Sequence, residues 1–293
     1  MRSFKTRVLV VAAIAAATLG LLTASLLAGG RLAAAVHRRV GPPPADLDCE
    51  TVRFASASGA TLAAWLCRPA GRPRAAVVLL HCIRCDRSMM LPRARLLLDG
   101  GYAVLAPDLQ AHGESTGDMI TFGYREADDA IASFDLLKRR YPELRVGGVG
   151  VSLGGAALVL SAGRLKTEAV VLESVYPTIE AAIENRVALR AGPLAPALTP
   201  FLLLQLRPRL GIDASALRPV DHIRHLGCPV LIASGSLDRH TTPAQTEALF
   251  AAALDPKELW LVQGAAHVDL RRYDPAGYRS RVLRFLDRHL VAK

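Results

Sequence analysis

The sequence is poor in aromatic residues, which make up 5% of it, and it contains no long block of lysine and arginine. The formal net charge is nevertheless +10. A nucleic-acid-binding domain concentrates its positive charge on one face and adds aromatic side chains that stack on bases. Here the arginines are scattered along the chain, so we expect no nucleic-acid partner and a mild attraction to anionic lipid. Richness in Ala, Arg, Leu and Gly is typical of a GC-rich bacterial genome.

The sequence also lacks a second cysteine pair that would complete a zinc site with Cys82 and Cys85. Structural zinc takes about four ligands, so we expect no metal. Two alternatives stay open for Cys49 and Cys67. They form a disulfide across a hairpin, which would indicate an oxidising compartment, or they are two unrelated thiols.

The first 40 residues contain the one long uncharged run of the chain, Val8–Gly30. About 20 apolar residues are enough to span a bilayer as a helix. The small residues at 33–35 are also compatible with cleavage of a signal peptide. Residues 1–40 are therefore predicted to be a membrane anchor or a signal segment. The alternative is a helix buried in the core of the domain. The domain formed by residues 41–293 is expected outside the cytoplasm, after a stiff Gly-Pro-Pro-Pro spacer at 41–44.

Short apolar runs rich in β-branched residues alternate with helical patterns along the rest of the chain. Strand alternating with helix is typical of an α/β domain with a buried, mostly parallel sheet. The predicted strands are 76–81, 102–106, 146–151, 169–173, 229–234 and 258–262, after a hairpin that turns near Ser58-Gly59. The predicted helices are 88–99, 124–140, 154–164, 243–253 and 275–291.

One segment, residues 177–226, interrupts this alternation. It is rich in Leu, Ala, Pro and Arg and lies between two predicted strands. We interpret it as a small helical lid over one end of the sheet, where it would shape a substrate pocket.

The pattern G-x-S-x-G occurs twice, at 113–117 and at 150–154. A serine nucleophile needs a sharp turn between a strand and a helix, so that its Oγ projects from the sheet. Only Ser152 follows a predicted strand and opens a predicted helix. Ser115 follows a polar loop, and we expect it to hydrogen-bond its own backbone there. Ser152 is therefore the candidate nucleophile.

A serine hydroxyl also needs a base and a carboxylate that orients the base. Asp238 follows the predicted strand 229–234, and His267 follows the predicted strand 258–262. Both residues thus leave the carboxyl ends of strands, where sites gather in open α/β sheets. The alternatives without a catalytic role are a helix N-cap for Asp238 and an exposed loop position for His267. Asp269 is a competing carboxylate, but it follows the histidine in the chain.

An acyl transfer also needs two backbone N–H groups that stabilise the oxyanion. We assign these donors to Leu153, directly after the nucleophile, and to Ile83, in the loop after the strand 76–81. His81 is expected to shape that loop, and His112 is expected to be structural. The acidic cluster at 126–129 is interpreted as a solvated helix face or as helix N-terminal charge.

These residues resemble the α/β-hydrolase superfamily, and most closely its serine aminopeptidase and monoglyceride lipase-like group. The resemblance covers roughly residues 50–290 and implies an eight-stranded, mostly parallel sheet and a hydrolase without a cofactor. Cys82 stands where the family usually has glycine in the oxyanion loop, which puts the substrate size in question. The matching stretches are Leu80-His81, 106–108, 112–115, 122–126, 150–155, 228–232, 235–238 and 264–267.

The expected function is that of a serine hydrolase that cleaves an ester, amide or thioester through an acyl-enzyme on Ser152. Asp238 and His267 would relay the proton, and the substrate would be a small-molecule or lipid-like acyl compound. The alternative is a catalytically silent binding protein with the same fold. Other chemistry on the same triad, such as acyl transfer, is a third hypothesis. The expected location is bacterial and membrane-anchored or secreted.

Overall fold

The computed structural model describes residues 2–291, apart from the side chains of residues 2–8, Ile14 and Ala17. Within this range the strands β1–β10 are Val36–His37, Cys49–Ala55, Thr61–Cys67, Ala75–Leu80, Tyr102–Pro107, His112–Gly113, Val146–Val151, Val170–Glu173, Val230–Gly235 and Lys257–Val262. The α-helices α1–α12 are Arg2–Ala33, Leu91–Asp99, Glu126–Arg140, Leu153–Leu160, Ile179–Ala191, Ala195–Leu203, Leu206–Leu210, Pro219–His222, Pro243–Ala252, Leu270–Tyr273, Pro275–Tyr278 and Arg284–Leu290.

Eight of these strands form one twisted sheet in the order β10-β9-β8-β7-β4-β5-β3-β2. The six strands from β10 to β5 are parallel, and β3 and β2 extend the edge in antiparallel pairing. The eight-stranded, mostly parallel sheet inferred from the sequence is thus confirmed, and the six predicted parallel strands lie within one residue of their expected bounds. The last predicted helix, 275–291, is divided into α11 and α12 by a π-helical turn over Arg279–Leu283.

The inner parallel strands are almost entirely apolar because both faces of the sheet are covered, whereas the edge strand β10 begins with Lys257 and Glu258. Successive side chains of a strand point to opposite faces. In β4, Val78 and Leu80 enter the core that includes Phe134 of α3. Leu79 enters the second core, which includes Phe285 of α12. A continuous apolar strand therefore supplies both cores at once.

The hairpin β2–β3 has the register that the sequence suggested. Cys49 lies opposite Cys67, and the turn between the strands contains Gly59 with a φ of +90°. The two cysteines form a disulfide. Of the two alternatives left open by the sequence, the structure contains the bonded one.

The acidic cluster at 126–129 lies in the first turn of α3, so the interpretation as helix N-terminal charge holds and that as a solvated helix face does not. Glu126 and Asp129 are fully buried. Glu126 begins α3 and accepts hydrogen bonds from the N–H groups of Thr121 and Gly123, each at 2.9 Å. Asp129 accepts a hydrogen bond of 2.8 Å from the Gln110 N–H. Polar loops fold over the helix start and supply donors, which the helical pattern of the sequence could not reveal.

Residues 177–226, which we call the lid segment, consist of the helices α5–α8 and short 3₁₀ turns. Thr178 begins the segment as the N-cap of α5, where its side chain accepts a hydrogen bond from Ala181 N–H. Two helical stretches of the described chain are long and apolar enough to cross a membrane, Leu9–Ala33 and Ile179–Leu210. The second stretch lies within the lid segment, where it is broken between α5, α6 and α7.

The end of α1 docks directly on the sheet domain. Ala33 is buried, and its carbonyl accepts a hydrogen bond of 2.8 Å from Ile120 N–H. β1 follows at once and pairs in parallel with β6. The expected spacer at 41–44 is not a free tether either, because the Gly41 carbonyl accepts a hydrogen bond of 3.1 Å from Arg87 Nη2.

Candidate active site

Ser152 occupies a strained turn between β7 and α4. Its backbone has φ +50° and ψ −106°, a region that non-glycine residues rarely adopt and that costs about 1–3 kcal/mol. The Ser152 N–H donates a hydrogen bond of 2.8 Å to the Glu173 carbonyl at the end of β8. The turn aims the serine side chain into a cavity at the carboxyl end of the sheet. Such a turn is the local structure that a serine nucleophile requires.

Glycines on both sides of Ser152 permit this turn. A Cβ at Gly154 would lie 2.4 Å from the Leu80 carbonyl oxygen, and a Cβ at Gly150 would lie 2.5 Å from the Gly155 nitrogen. Both obstacles are backbone atoms, which cannot rotate away. The tight contact of α4 with β4 and β7 therefore depends on these glycines.

Ser115, in the second copy of the motif, has a different environment. It is buried in the loop after β6, and its Oγ donates a hydrogen bond of 2.6 Å to the Asp108 carbonyl. The same oxygen accepts a hydrogen bond of 2.9 Å from Ala63 N–H in β3. Ser115 thus bonds nearby loop backbone, as expected, and it also ties that loop to the neighbouring strand β3.

The structure places Asp238 and His267 in hydrogen-bond contact. His267 Nδ1 lies 2.7 Å from Asp238 Oδ2. The loops that carry them follow β9 and β10, and they approach closely because a Cβ at Gly235 would lie only 2.2 Å from the Ala265 carbonyl oxygen. Leu237 N–H donates a hydrogen bond of 2.8 Å to that same carbonyl. The acid loop and the base loop are thus fixed to each other.

Asp238 is held as a carboxylate. Burial alone would raise its pKa, but the hydrogen bond and charge of His267 outweigh burial and lower it. The N–H groups of His240 and Thr241 add hydrogen bonds of 2.8 and 2.9 Å to Oδ1. The competing carboxylate Asp269 instead caps α10 and forms an ion pair of 2.9 Å with Arg93.

The cavity next to Ser152 has a volume of ≈ 240 Å³ and a mainly apolar lining. Leu153 and Ile83 line it beside the serine. His240 lines it as well, and the centroid of its ring lies 4.8 Å from that of His267. The structure therefore brings the serine, the acid–base pair and the two proposed oxyanion donors to one end of the sheet.

The amides of Leu153 and Ile83 are free to bind an oxyanion. Within residues 2–291, neither N–H donates a hydrogen bond to another group. The loop that carries Ile83 is closed by a disulfide between Cys82 and Cys85. Its next residue, Arg84, has a φ of +61°. A cysteine in the usual glycine place thus stiffens the loop.

Two buried histidines hold this loop through their ring nitrogens. His81 Nε2 accepts a hydrogen bond of 3.0 Å from Leu109 N–H, and His112 Nε2 accepts one of 3.0 Å from Arg84 N–H. Both rings must be neutral to accept these bonds. The pKa of each histidine is lowered to about 4, mainly by burial, and for His112 also by the repulsion that a protonated His81 would exert on it.

A buried charged network, which we did not predict from the sequence, lies beneath the nucleophile. Arg93 of α2 donates two hydrogen bonds to the Glu173 carboxylate, at 3.0 and 2.6 Å, and Tyr278 donates a third at 2.6 Å. Arg93 and Glu173 are both buried. Since the Glu173 carbonyl also accepts the Ser152 N–H, this network fixes the strand end that supports the turn. The feature of the sequence that could have indicated this network is a glutamate at the end of an apolar strand.

Comparisons with known proteins show the family and the fold of this chain. The model of the alpha/beta hydrolase family matches residues 77–280. The uncharacterized protein YqkD of Bacillus subtilis is 26% identical over 219 residues, which are 72% of this chain and 70% of that one. The uncharacterized protein YfhR of Salmonella typhimurium is 28% identical over 265 residues, 86% of either chain. The fold is similar to that of the Pyrococcus furiosus esterase Pf2001, with a TM-score of 0.71 and 24% identity over 87% of this chain and 99% of that one.

Proposed function

Since the chain belongs to the alpha/beta hydrolase family, we propose that it is a serine hydrolase that cleaves carboxylic esters through an acyl-enzyme on Ser152. One observation carries this proposal. A serine in a strained strand-to-helix turn lines the same end of the sheet as a hydrogen-bonded Asp238–His267 pair. Amides and thioesters can react by the same route, but the apolar cavity favours an ester with an acyl chain.

In the first step the Ser152 Oγ attacks the ester carbonyl, and His267 takes the hydroxyl proton through Nε2. Asp238 accepts the Nδ1–H of His267, which fixes the tautomer and stabilises the imidazolium. The Leu153 and Ile83 amides donate to the oxyanion of the tetrahedral intermediate. His267 then gives its proton to the leaving alcohol, and a water molecule hydrolyses the acyl-enzyme by the reverse sequence.

The same proposal includes a location at a membrane. Within Leu9–Ala33, an 18-residue window has a mean hydropathy of 2.2, and none of that window is buried against the rest of the protein. The two disulfides, Cys49–Cys67 and Cys82–Cys85, favour an oxidising compartment. The docking of Ala33 on the domain favours an uncleaved anchor over a removed signal.

The test is labelling of the full-length protein, in detergent, with a fluorophosphonate that reacts only with activated serines. We expect the wild type to be labelled and Ser152→Ala to be unlabelled. The matched control is Ser115→Ala, which changes the other G-x-S-x-G serine and should keep the label in its folded fraction.

Loss of the label in Ser115→Ala but not in Ser152→Ala would contradict the assignment of the nucleophile. A folded wild type that takes no label and hydrolyses no ester would favour the binding-protein alternative. Circular dichroism on each variant separates loss of chemistry from loss of fold.

A further inference from the structure

Four arginines line the cavity beside Ser152, although the rest of its lining is mainly apolar. They come from separate parts of the chain: Arg84 from the oxyanion loop, Arg186 and Arg190 from α5, and Arg209 from α7. Arg186 and Arg209 are half-buried, whereas Arg84 and Arg190 are exposed. Positive charge from three directions thus converges on one cavity.

None of these four guanidinium groups forms an ion pair within the described part of the chain. Arg84, Arg186 and Arg209 donate instead to neutral carbonyls, those of Arg31, Ala182 and Leu26 respectively. Asp238 is the carboxylate whose field reaches Arg186, but it already accepts hydrogen bonds from His267 and two amides.

On the outer side of the lid segment, by contrast, arginines do form ion pairs. Arg207, two residues before Arg209 on α7, lies 3.7 Å from Asp213, and Arg218 pairs with Asp221 at 2.6 Å. Charges taken out of water are normally paired, since the cost of desolvation is otherwise uncompensated. An unpaired set that faces a cavity therefore indicates an anionic ligand. Arginine binds phosphate and carboxylate with two parallel hydrogen bonds.

The wall of the cavity also includes the end of α1, at Gly29, Leu32 and Ala33. The 25-residue span Leu9–Ala33 is about 38 Å long at a rise of 1.5 Å per residue. A bilayer has a hydrocarbon core of about 30 Å, so roughly the last five residues extend beyond it. These residues are the ones at the cavity, so an anchor that enters the hydrocarbon core at Leu9 would place the cavity at the depth of lipid headgroups.

Exposed leucines continue this surface on the lid segment. Leu194 is 62% exposed and Leu204 is 73% exposed, and α6 packs against α1. Gln205 joins the two elements, since its Nε2 donates to the Ser25 hydroxyl at 2.8 Å. With α1 in a bilayer, these exposed leucines of the lid segment would face the same lipid as the anchor does.

We propose that the substrate is an amphiphilic ester with an acyl chain and an anionic phosphate or carboxylate group, taken from the surrounding bilayer. The acyl chain occupies the apolar wall with its carbonyl at Ser152, and the anionic group binds Arg186 and Arg209. This inference rests on the proposed function, because it names the substrate class of the same site.

The test compares two esters that differ by one group, 1-dodecanoylglycerol and 1-dodecanoylglycerol 3-phosphate, given to the full-length protein in neutral detergent micelles. The measured quantity is the ratio of kcat/KM for the phosphate ester to that for the neutral ester. We expect a ratio above about 10 for the wild type, since hydrogen bonds to charged groups each contribute about that factor or more. Arg186→Gln combined with Arg209→Gln should lower the ratio about 10- to 100-fold.

The matched control is Arg207→Gln, which removes a charge from α7 outside the cavity and should leave the ratio unchanged. A wild-type ratio near one, with both esters cleaved, would overturn the anionic substrate and leave the serine hydrolase intact. A fall in the ratio for Arg207→Gln as large as for the double variant would also overturn it, because bulk charge would then explain the preference. Binding of the phosphate ester to Ser152→Ala, without hydrolysis, keeps the two proposals separable. If the wild type cleaves neither ester and takes no fluorophosphonate label, the proposed function fails while such binding still supports the anionic ligand.

Discussion

The carboxyl end of the sheet and the lid segment differ in whether their buried charged side chains form ion pairs. At the carboxyl end of the sheet, Arg93 and Glu173 are buried and form an ion pair with each other, and Arg93 pairs with Asp269 as well. In the lid segment, Arg186 and Arg209 are half-buried and have only neutral partners. Paired charges fix a structure, whereas unpaired charges are available to a ligand. Under the proposed function, the reacting groups would lie on the rigid sheet, and the groups that recognise the substrate would lie on the helices above it.

The largest effect should come from breaking the acid–base pair. In Asp238→Asn the side chain can turn an N–H toward His267 Nδ1 and stabilise the wrong tautomer. We expect kcat for a soluble ester to fall by about 10⁴-fold while the fold persists. The matched variant is Asp269→Asn, which removes the neighbouring carboxylate that does not contact His267. Equal losses in the two variants would contradict the assignment.

Acid should weaken the oxyanion loop before it weakens the sheet. The pKa of His81 and of His112 is about 4 in the folded protein, below the value of about 6.5 for an unfolded chain. The unfolded state therefore binds more protons between pH 6.5 and 4, so the free energy of unfolding falls as pH decreases through this window. The loss amounts to at most about 3 kcal/mol per histidine.

Urea unfolding across this pH range measures the effect. His112→Gln should make the free energy of unfolding depend less on pH. The glutamine amide oxygen can still accept a hydrogen bond from Arg84 N–H, but it does not titrate. Burial raises the pKa of Asp129 to about 7, so protonation of this carboxyl increases the free energy of unfolding as the pH falls. This contribution opposes that of the histidines and is the same in the wild type and in His112→Gln. Identical profiles for the wild type and the variant would exclude His112 as the source.

A smaller effect is expected from one added methyl group at the nucleophile turn. In Gly154→Ala the new Cβ meets the Leu80 carbonyl oxygen, so the free energy of unfolding should fall by about 1–3 kcal/mol even though alanine favours helix. Gly71→Ala is the control, because nothing lies within 4 Å of its added Cβ. An equally stable Gly154→Ala protein would show that α4 can move away from β4.

The smallest effect should come from the exposed face of the lid segment. Leu204→Ala is expected to change the free energy of unfolding by less than about 0.5 kcal/mol, since the side chain is exposed in the folded state. Leu172→Ala in the buried strand β8 should cost about 2–5 kcal/mol. A cost above about 1 kcal/mol for Leu204 would mean that the lid segment packs on another surface in detergent solution.

The sequence was informative where one residue type meets one local requirement. The apolar runs predicted the parallel strands, and the strand–turn–helix context separated Ser152 from Ser115. Chain order and position after a strand selected Asp238 and His267, which the structure places 2.7 Å apart. These signals are local, so periodicity and spacing are sufficient to read them.

The parts that the sequence did not predict depend on contacts between distant segments. Glu126 and Asp129 lie in the first turn of α3, in line with the interpretation as helix N-terminal charge, but loops from elsewhere bury them, which rules out a solvated face. The convergence of Arg84, Arg186 and Arg209 joins three elements that are far apart in the chain. The contribution of α1 to the cavity wall could not be predicted for the same reason, since an apolar run has the same sequence pattern whether or not it contacts a domain.

The direct entry of α1 into the domain has a consequence for how the protein meets its substrate. Ala33 is held by Ile120, and β1 pairs with β6 without a flexible linker. With α1 in a bilayer, the site cannot swing to another vesicle or reach the opposite leaflet. Its turnover should then follow the number of ester molecules per unit area of its own leaflet. Diluting the vesicles at constant lipid composition would leave that turnover unchanged.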